Sequence, residues 1–139
     1  MMIEIVEQEY DSAFEYTNRV IDEFGELRGQ PFGWSQFAFE AQSDGNTVGA
    51  IVGYRLYDWL YIEFITVEES SRKLGVGGQL MDRAETLAAE MRLEGVALDT
   101  FRYHQAADYY KARGYVEDMV IPGKVPERDR IYLRKKFDM

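Results

Sequence analysis

Between Leu60 and Met91 the chain reads as a strand, a glycine loop and a helix in direct succession. Leu60 to Val67 is rich in branched and aromatic residues, as a strand is, whereas Val76, Leu80, Ala84, Leu87 and Met91 recur at helical spacing. The junction is Arg72-Lys73-Leu74-Gly75-Val76-Gly77-Gly78. Its glycines let backbone amides turn into one concavity, and the helix start adds a partial positive charge, so the junction is suited to a pyrophosphate. Arg72, Lys73 and the amides of Leu74, Gly75, Val76, Gly77 and Gly78 are the candidate phosphate ligands. Gly77 matters most among them, because a Cβ there could block a close-lying phosphate.

The rest of the chain supplies partners for that unit. Met2 to Gln8 alternates apolar and polar residues as a first strand does, and Ser12-Ala13-Phe14-Glu15 has the form of a capping box opening a helix. Gly25 and Gly29-Gln30-Pro31 end that helix. Gln36 to Gln42 and Thr47 to Tyr57 read as a hairpin about the turn Ser43-Asp44-Gly45-Asn46, and Asp58-Trp59 turns the chain into Leu60 to Val67. Val96 to Phe101 is a short strand, His104 to Arg113 a helix closed by Gly114, and Val116 to Ile121 and Arg130 to Phe137 are two closing strands. This order implies a single α/β (α+β) domain over residues 1–139, with a mixed sheet of about six to seven strands and helices on both faces.

Bulk properties narrow the chemistry. With 46% apolar and 14% aromatic residues the chain has the makings of a packed globule. Zero cysteines exclude disulfides, thiolate metal sites and a cysteine nucleophile, and a single histidine, His104, leaves little for a metal. A net charge of −9 disfavours nucleic acid and anionic membranes and suits a cationic partner. No apolar run is long enough to span a bilayer and no signal-peptide pattern opens the chain, so a cytoplasmic location is expected.

Further along stands Ala106-Ala107-Asp108-Tyr109-Tyr110-Lys111-Ala112-Arg113-Gly114-Tyr115. With the glycine loop, this resembles the GNAT superfamily of N-acetyltransferases: Arg72, Gly75 and Gly77 match the loop pattern Arg/Gln-x-x-Gly-x-Gly/Ala, and Tyr110, Gly114 and Tyr115 match Tyr-x-x-x-Gly-Phe/Tyr. Leu98-Asp99-Thr100-Phe101 and Tyr132-Leu133-Arg134-Lys135-Lys136 look like one bacterial branch of it. The resemblance implies that acetyl-CoA is the co-substrate, with no metal, and that an amine is the acceptor. It also implies that the strand before the loop splays from the strand after the loop helix, and that pantetheine amides pair with the exposed edge at Ile65, Thr66 and Val67. A homodimer is compatible with it. The sequence departs from the pattern at Glu69, Lys73 and Tyr103, where proline, glycine and asparagine are frequent.

Acetyl transfer to an amine needs a neutral nucleophile, and an alkyl ammonium with a reference pKa near ~10.4 must first lose a proton. Glu63 is the first candidate base, since alternation places it with Tyr61, Ile65 and Val67 on one strand face, where a charge among apolar neighbours is unusual. Asp99, on the strand after the loop helix, is the rival, and a water chain without a dedicated base is a third route. The resemblance makes Tyr110 the acid that protonates the departing thiolate. A phenol with a reference pKa near ~10 carries its proton at neutral pH. Trp34, Trp59, Phe32 and Tyr57 are candidates for an acceptor pocket. The alternative to an enzyme is the same fold binding an acyl-CoA as a sensor; the absence of Gly-Lys-Ser/Thr and of Gly-x-Gly-x-x-Gly argues against a nucleotide module.

Overall fold

The computed structural model describes residues 1–138, in two compact units, Met1–Gly33 and Trp34–Met139. In the first unit, helix α1 (Tyr10–Glu26) is preceded by residues without regular structure. The alternation in Met2 to Gln8 therefore does not make a strand. A strand needs a partner for its ladder, this unit contains no other, and Met2, Ile3, Ile5 and Val6 lie exposed. The helix also starts ahead of the capping box, at Tyr10 after Glu9, with no side-chain cap.

The second unit is a mixed sheet of β1 (Trp34–Ser43), β2 (Asn46–Leu56), β3 (Trp59–Val67), β4 (Gly95–Phe101), β5 (Val116–Ile121) and β6 (Arg130–Lys136), in spatial order β1-β2-β3-β4-β6-β5. β3 and β4 are parallel and all other neighbours antiparallel. The β1–β2 turn has Asp44 at φ 51° and Gly45 at φ 79°, the left-handed pair that a two-residue hairpin requires. Helix α2 (Val76–Glu90) crosses from β3 to β4 and presses Leu80, Met81, Ala84 and Ala88 onto Ile51, Leu60, Ile62, Val96, Leu98, Ile131 and Leu133. Met81 and Ala88 are fully buried, while the expected Val76, Leu87 and Met91 are only partly so. The buried stripe is thus rotated from the one that periodicity marks.

Helix α3 (Ala107–Ala112) is shorter than the sequence suggests. Gln105 adopts a left-handed φ of 55° after a 3-10 turn at Arg102–His104, which separates that turn from the helix. Its end is a Schellman cap: Gly114 N–H bonds the Lys111 carbonyl at 3.0 Å and Tyr115 N–H the Tyr110 carbonyl at 3.0 Å, with the Tyr110 and Tyr115 rings 5.8 Å apart. Gly114, at φ 101°, is the residue that permits it. Glu85 of α2 accepts from Tyr115 Oη at 2.9 Å, Lys135 Nζ at 3.0 Å and Arg113 Nη2 at 3.3 Å, fixing α3 beside α2.

Candidate active site

The sheet opens where β3 and β4 part. Their pairing runs from Trp59↔Gly95 to Ile62↔Leu98 and stops, so Glu63 to Val67 keep β2 on one side and present a free backbone edge on the other. At the point of parting the β2–β3 register shifts: Gly53 faces Ile62 and Val52 faces Phe64, leaving Glu63 as the extra residue of a β-bulge. The bulge corrects the alternation expected from sequence. Leu60 and Ile62 before it, and Ile65 and Val67 after it, belong to the α2 side, while Tyr61 falls on the opposite face with Tyr54.

Beyond Val67 the chain makes a 3-10 turn at Glu69–Ser71 and reaches α2 through Lys73, at φ 69°, and Gly75, at φ 79°. Gly75 caps the helix in a left-handed conformation that a side chain disfavours. Lys73 adopts the same region, at a position where glycine is frequent in the family pattern. A helix leaves its first amides without an intrahelical acceptor. Here Gln79 N–H reaches back to the Gly75 carbonyl at 3.0 Å, and Val76, Gly77 and Gly78 stand ahead of it. A Cβ on Gly77 would meet only Val67 at 3.8 Å, so the space before these amides is open. A groove of about 310 Å³ lies there, walled by Val67, Arg72, Lys73 and Tyr109. Arg72 Nε donates to the Val67 carbonyl at 3.2 Å, which holds the loop against the end of β3.

A second, larger cleft of about 760 Å³ lies on the sheet face opposite α2. The Tyr54 and Tyr61 rings are stacked in it, 5.3 Å apart at 19°. Asp99 is held by Arg130 at 2.7 Å, and Asp118 by Arg134 at 2.9 Å. The hydrogen bond to Asp99 keeps the Arg130 guanidinium above its ordinary pKa. Glu63 lines the same cleft, exposed, with no hydrogen bond or ion pair to any described residue. Burial, and next the Glu63 charge, push the Tyr54 phenol upward.

A strand that ends in an amide-lined loop beside a parallel partner that has left it is the arrangement the resemblance implies, and residues 2–115 match the family model for the acetyltransferase (GNAT) family. The chain belongs to the GNAT family. It is 31% identical over 83 residues to the blasticidin-S acetyltransferase of Streptomyces morookaense, a match spanning 59% of this chain and 60% of that protein. A crystal structure of an acetyltransferase from Bacillus cereus ATCC 14579 superposes with a TM-score of 0.77 at 24% identity, covering 97% of this chain and 98% of that one. A protein from Bacillus anthracis str. Ames, crystallised with acetyl coenzyme A, superposes with a TM-score of 0.67 at 27% identity over 78% of this chain and 64% of its own.

In this GNAT domain the structure gathers the expected residues into two groups. Ile65, Thr66 and Val67 lie on the free edge, running into the Arg72–Gly78 loop; Glu63 and Asp99 lie in the larger cleft. Tyr110 joins neither. It is 8% exposed in the core cluster, edge-on to Tyr109 and Tyr115, and burial holds its phenol above the ordinary value. The neighbouring Tyr109 lines the loop groove instead, placed there by the docking of α3 beside α2, for which the sequence carries no signal. Of the aromatic candidates Trp59 lines the larger cleft. Tyr54 was the one to find from sequence, since a two-residue turn at Tyr57 and Asp58 sets it opposite Tyr61. His104 packs edge-on to Tyr103 at 4.2 Å and lines neither cavity. Among the described residues no group of three or more His, Asp or Glu could share a metal ion, and no helix is long and apolar enough to cross a membrane.

Proposed function

We propose that this protein transfers an acetyl group from acetyl-CoA to a primary amine by direct attack of the amine on the thioester. The observation that carries the reading is the free edge of β3, joined through one 3-10 turn and the glycine loop to the amide-rich start of α2. The residues there fit the co-substrate: unpaired amides and the cations of Arg72 and Lys73 suit a diphosphate, and the β3 edge suits a chain of amides. Acetyl-CoA supplies the activated acyl group when bound.

The protein's own part is to position and to move protons. Glu63, at the bulge and free of partners, accepts a proton from the acceptor ammonium, either directly or through water. Asp99 is the less available of the two carboxylates, because Arg130 already engages it at 2.7 Å. Burial keeps the Tyr110 phenol neutral, so it holds the proton that the resemblance assigns to the thiolate, although its ring lies in the core outside both cavities. A small-molecule acceptor is favoured over a protein amine by a relative named for an antibiotic, and the cleft of about 760 Å³ has room for one.

One observation favours the alternative of an acyl-CoA sensor without turnover: Tyr110 lines neither cavity. Thiol release from acetyl-CoA in the presence of a panel of primary amines separates the two. Amine-dependent release, reduced about 100-fold or more in Glu63→Gln, supports the transferase. Saturable acetyl-CoA binding with no release for any amine supports the sensor.

A further inference from the structure

The larger cleft carries information about the acceptor that the transferase reading does not contain. Its charged lining consists of Glu63, Asp99, Asp118, Arg130 and Arg134. The two arginines are taken by Asp99 and Asp118, at 2.7 and 2.9 Å, so each pair cancels its own charge. Glu63 is left over. A carboxylate in a concave site, with no cation supplied by the protein, presents its charge to whatever enters. Two residues before Glu63 on β3 stands Tyr61, its ring stacked on that of Tyr54 across the strand pair. Glu63, Tyr54 and Tyr61 line the one cleft, so a single ligand there meets both the charge and the ring pair.

We infer that the acceptor is a small cation bearing a flat ring, its ammonium drawn to Glu63 and its ring laid against the Tyr54–Tyr61 pair. The ring pair offers an extended π face to which planar groups and cations both adhere. A simple alkyl diamine or an exposed lysine side chain satisfies Glu63 alone and leaves the aromatic wall unused. A neutral aromatic compound satisfies the wall and leaves the carboxylate bare. Only a compound with both features uses both, with the amine to be acetylated delivered at the bulge where β3 leaves β4.

This inference rests on the transferase reading, and a test without turnover separates the two. Protein saturated with CoA, which has no acetyl group to give, is titrated calorimetrically with 2-phenylethylamine, 2-phenylethanol and n-butylamine. We expect 2-phenylethylamine to bind at least about tenfold more tightly than either of the others. Glu63→Gln should erase its advantage over the alcohol, and Tyr61→Leu its advantage over butylamine. Circular dichroism checks that both variants fold, and Tyr54→Leu serves as the second ring variant. Equal binding of the amine and the alcohol, or of phenylethylamine and butylamine, by the wild-type protein overturns the inference without involving any variant. Failure of CoA itself to bind removes the transferase reading instead, and the same three titrations of the cofactor-free protein then still decide whether the cleft takes a ring-bearing cation.

Discussion

Lys73 shows what a single residue contributes to the loop. It sits at φ 69°, where an L side chain is strained, in a position where glycine is frequent in the family pattern. Lys73→Gly should therefore raise stability to urea by up to about 1 kcal/mol despite the added freedom of the unfolded chain. A loss of stability would mean that the lysine side chain has contacts that outweigh its backbone. Glu63 and Asp99 differ in a way that sequence could not reveal, because the distinction lies in the β4–β6 register that sets Asp99 near Arg130. Glu63→Gln should abolish most turnover and Asp99→Asn only part of it. The reverse order would transfer the base to Asp99. The loop residues themselves were legible one by one, since Gly75 and the amides after it act through backbone geometry that glycine announces.

At the scale of elements, two carboxylates of α2 hold the end of α3: Asp82 takes Arg113 at 2.7 Å, and Glu85 is the more buried of the two. Glu85 is 14% exposed and receives three donors, from Arg113, Tyr115 and Lys135. Glu85→Ala leaves Tyr115 and Lys135 without that acceptor, while Arg113 keeps Asp82, and should cost about 1 to 3 kcal/mol, read from denaturant unfolding. The same junction sets an alkaline limit. Burial first, and then the Glu85 charge, raise the Tyr115 phenol, and burial raises Tyr110. A phenol whose folded pKa exceeds its unfolded value contributes stability that is intact below the unfolded pKa near ~10 and is lost above it, by about 1.4 kcal/mol per pH unit for each such group. The melting temperature should thus fall above about pH 10, and less steeply in Tyr115→Phe. An unchanged slope in that variant would remove Tyr115 from the account. Elements were legible wherever local chemistry fixes them, as in the Asp44-Gly45 turn and the Gly114 cap. They were not where a partner decides: Met2 to Gln8 alternates without forming a strand, and the bulge at Glu63 inverts the face on which Tyr61 lies relative to Ile65.

For the molecule as a whole, the net charge of −9 and an unpaired carboxylate in the larger cleft act in the same direction on a cationic acceptor. Raising ionic strength should weaken capture of a charged amine and leave a neutral ligand nearly unaffected, because the Debye length shrinks from about 10 Å at 0.1 M to about 3 Å at 1 M. An identical salt dependence for both would assign the acidity to solubility alone. The mixed sheet followed from the order of motifs, with six strands formed of the six to seven expected, but the two cavities did not. They arise from where β3 and β4 separate, a property of the assembled sheet that no stretch of sequence carries alone. The central claim is that the separation and the loop below it form a site for acetyl-CoA. Calorimetric titration of the purified protein with acetyl-CoA, beside Gly77→Glu, tests it most directly. Saturable binding is expected, lost in the glutamate variant while the protein stays folded, since the side chain would enter the open space before the α2 amides and carry a negative charge to it. Equal binding by both proteins, or none by the folded wild type, would contradict it.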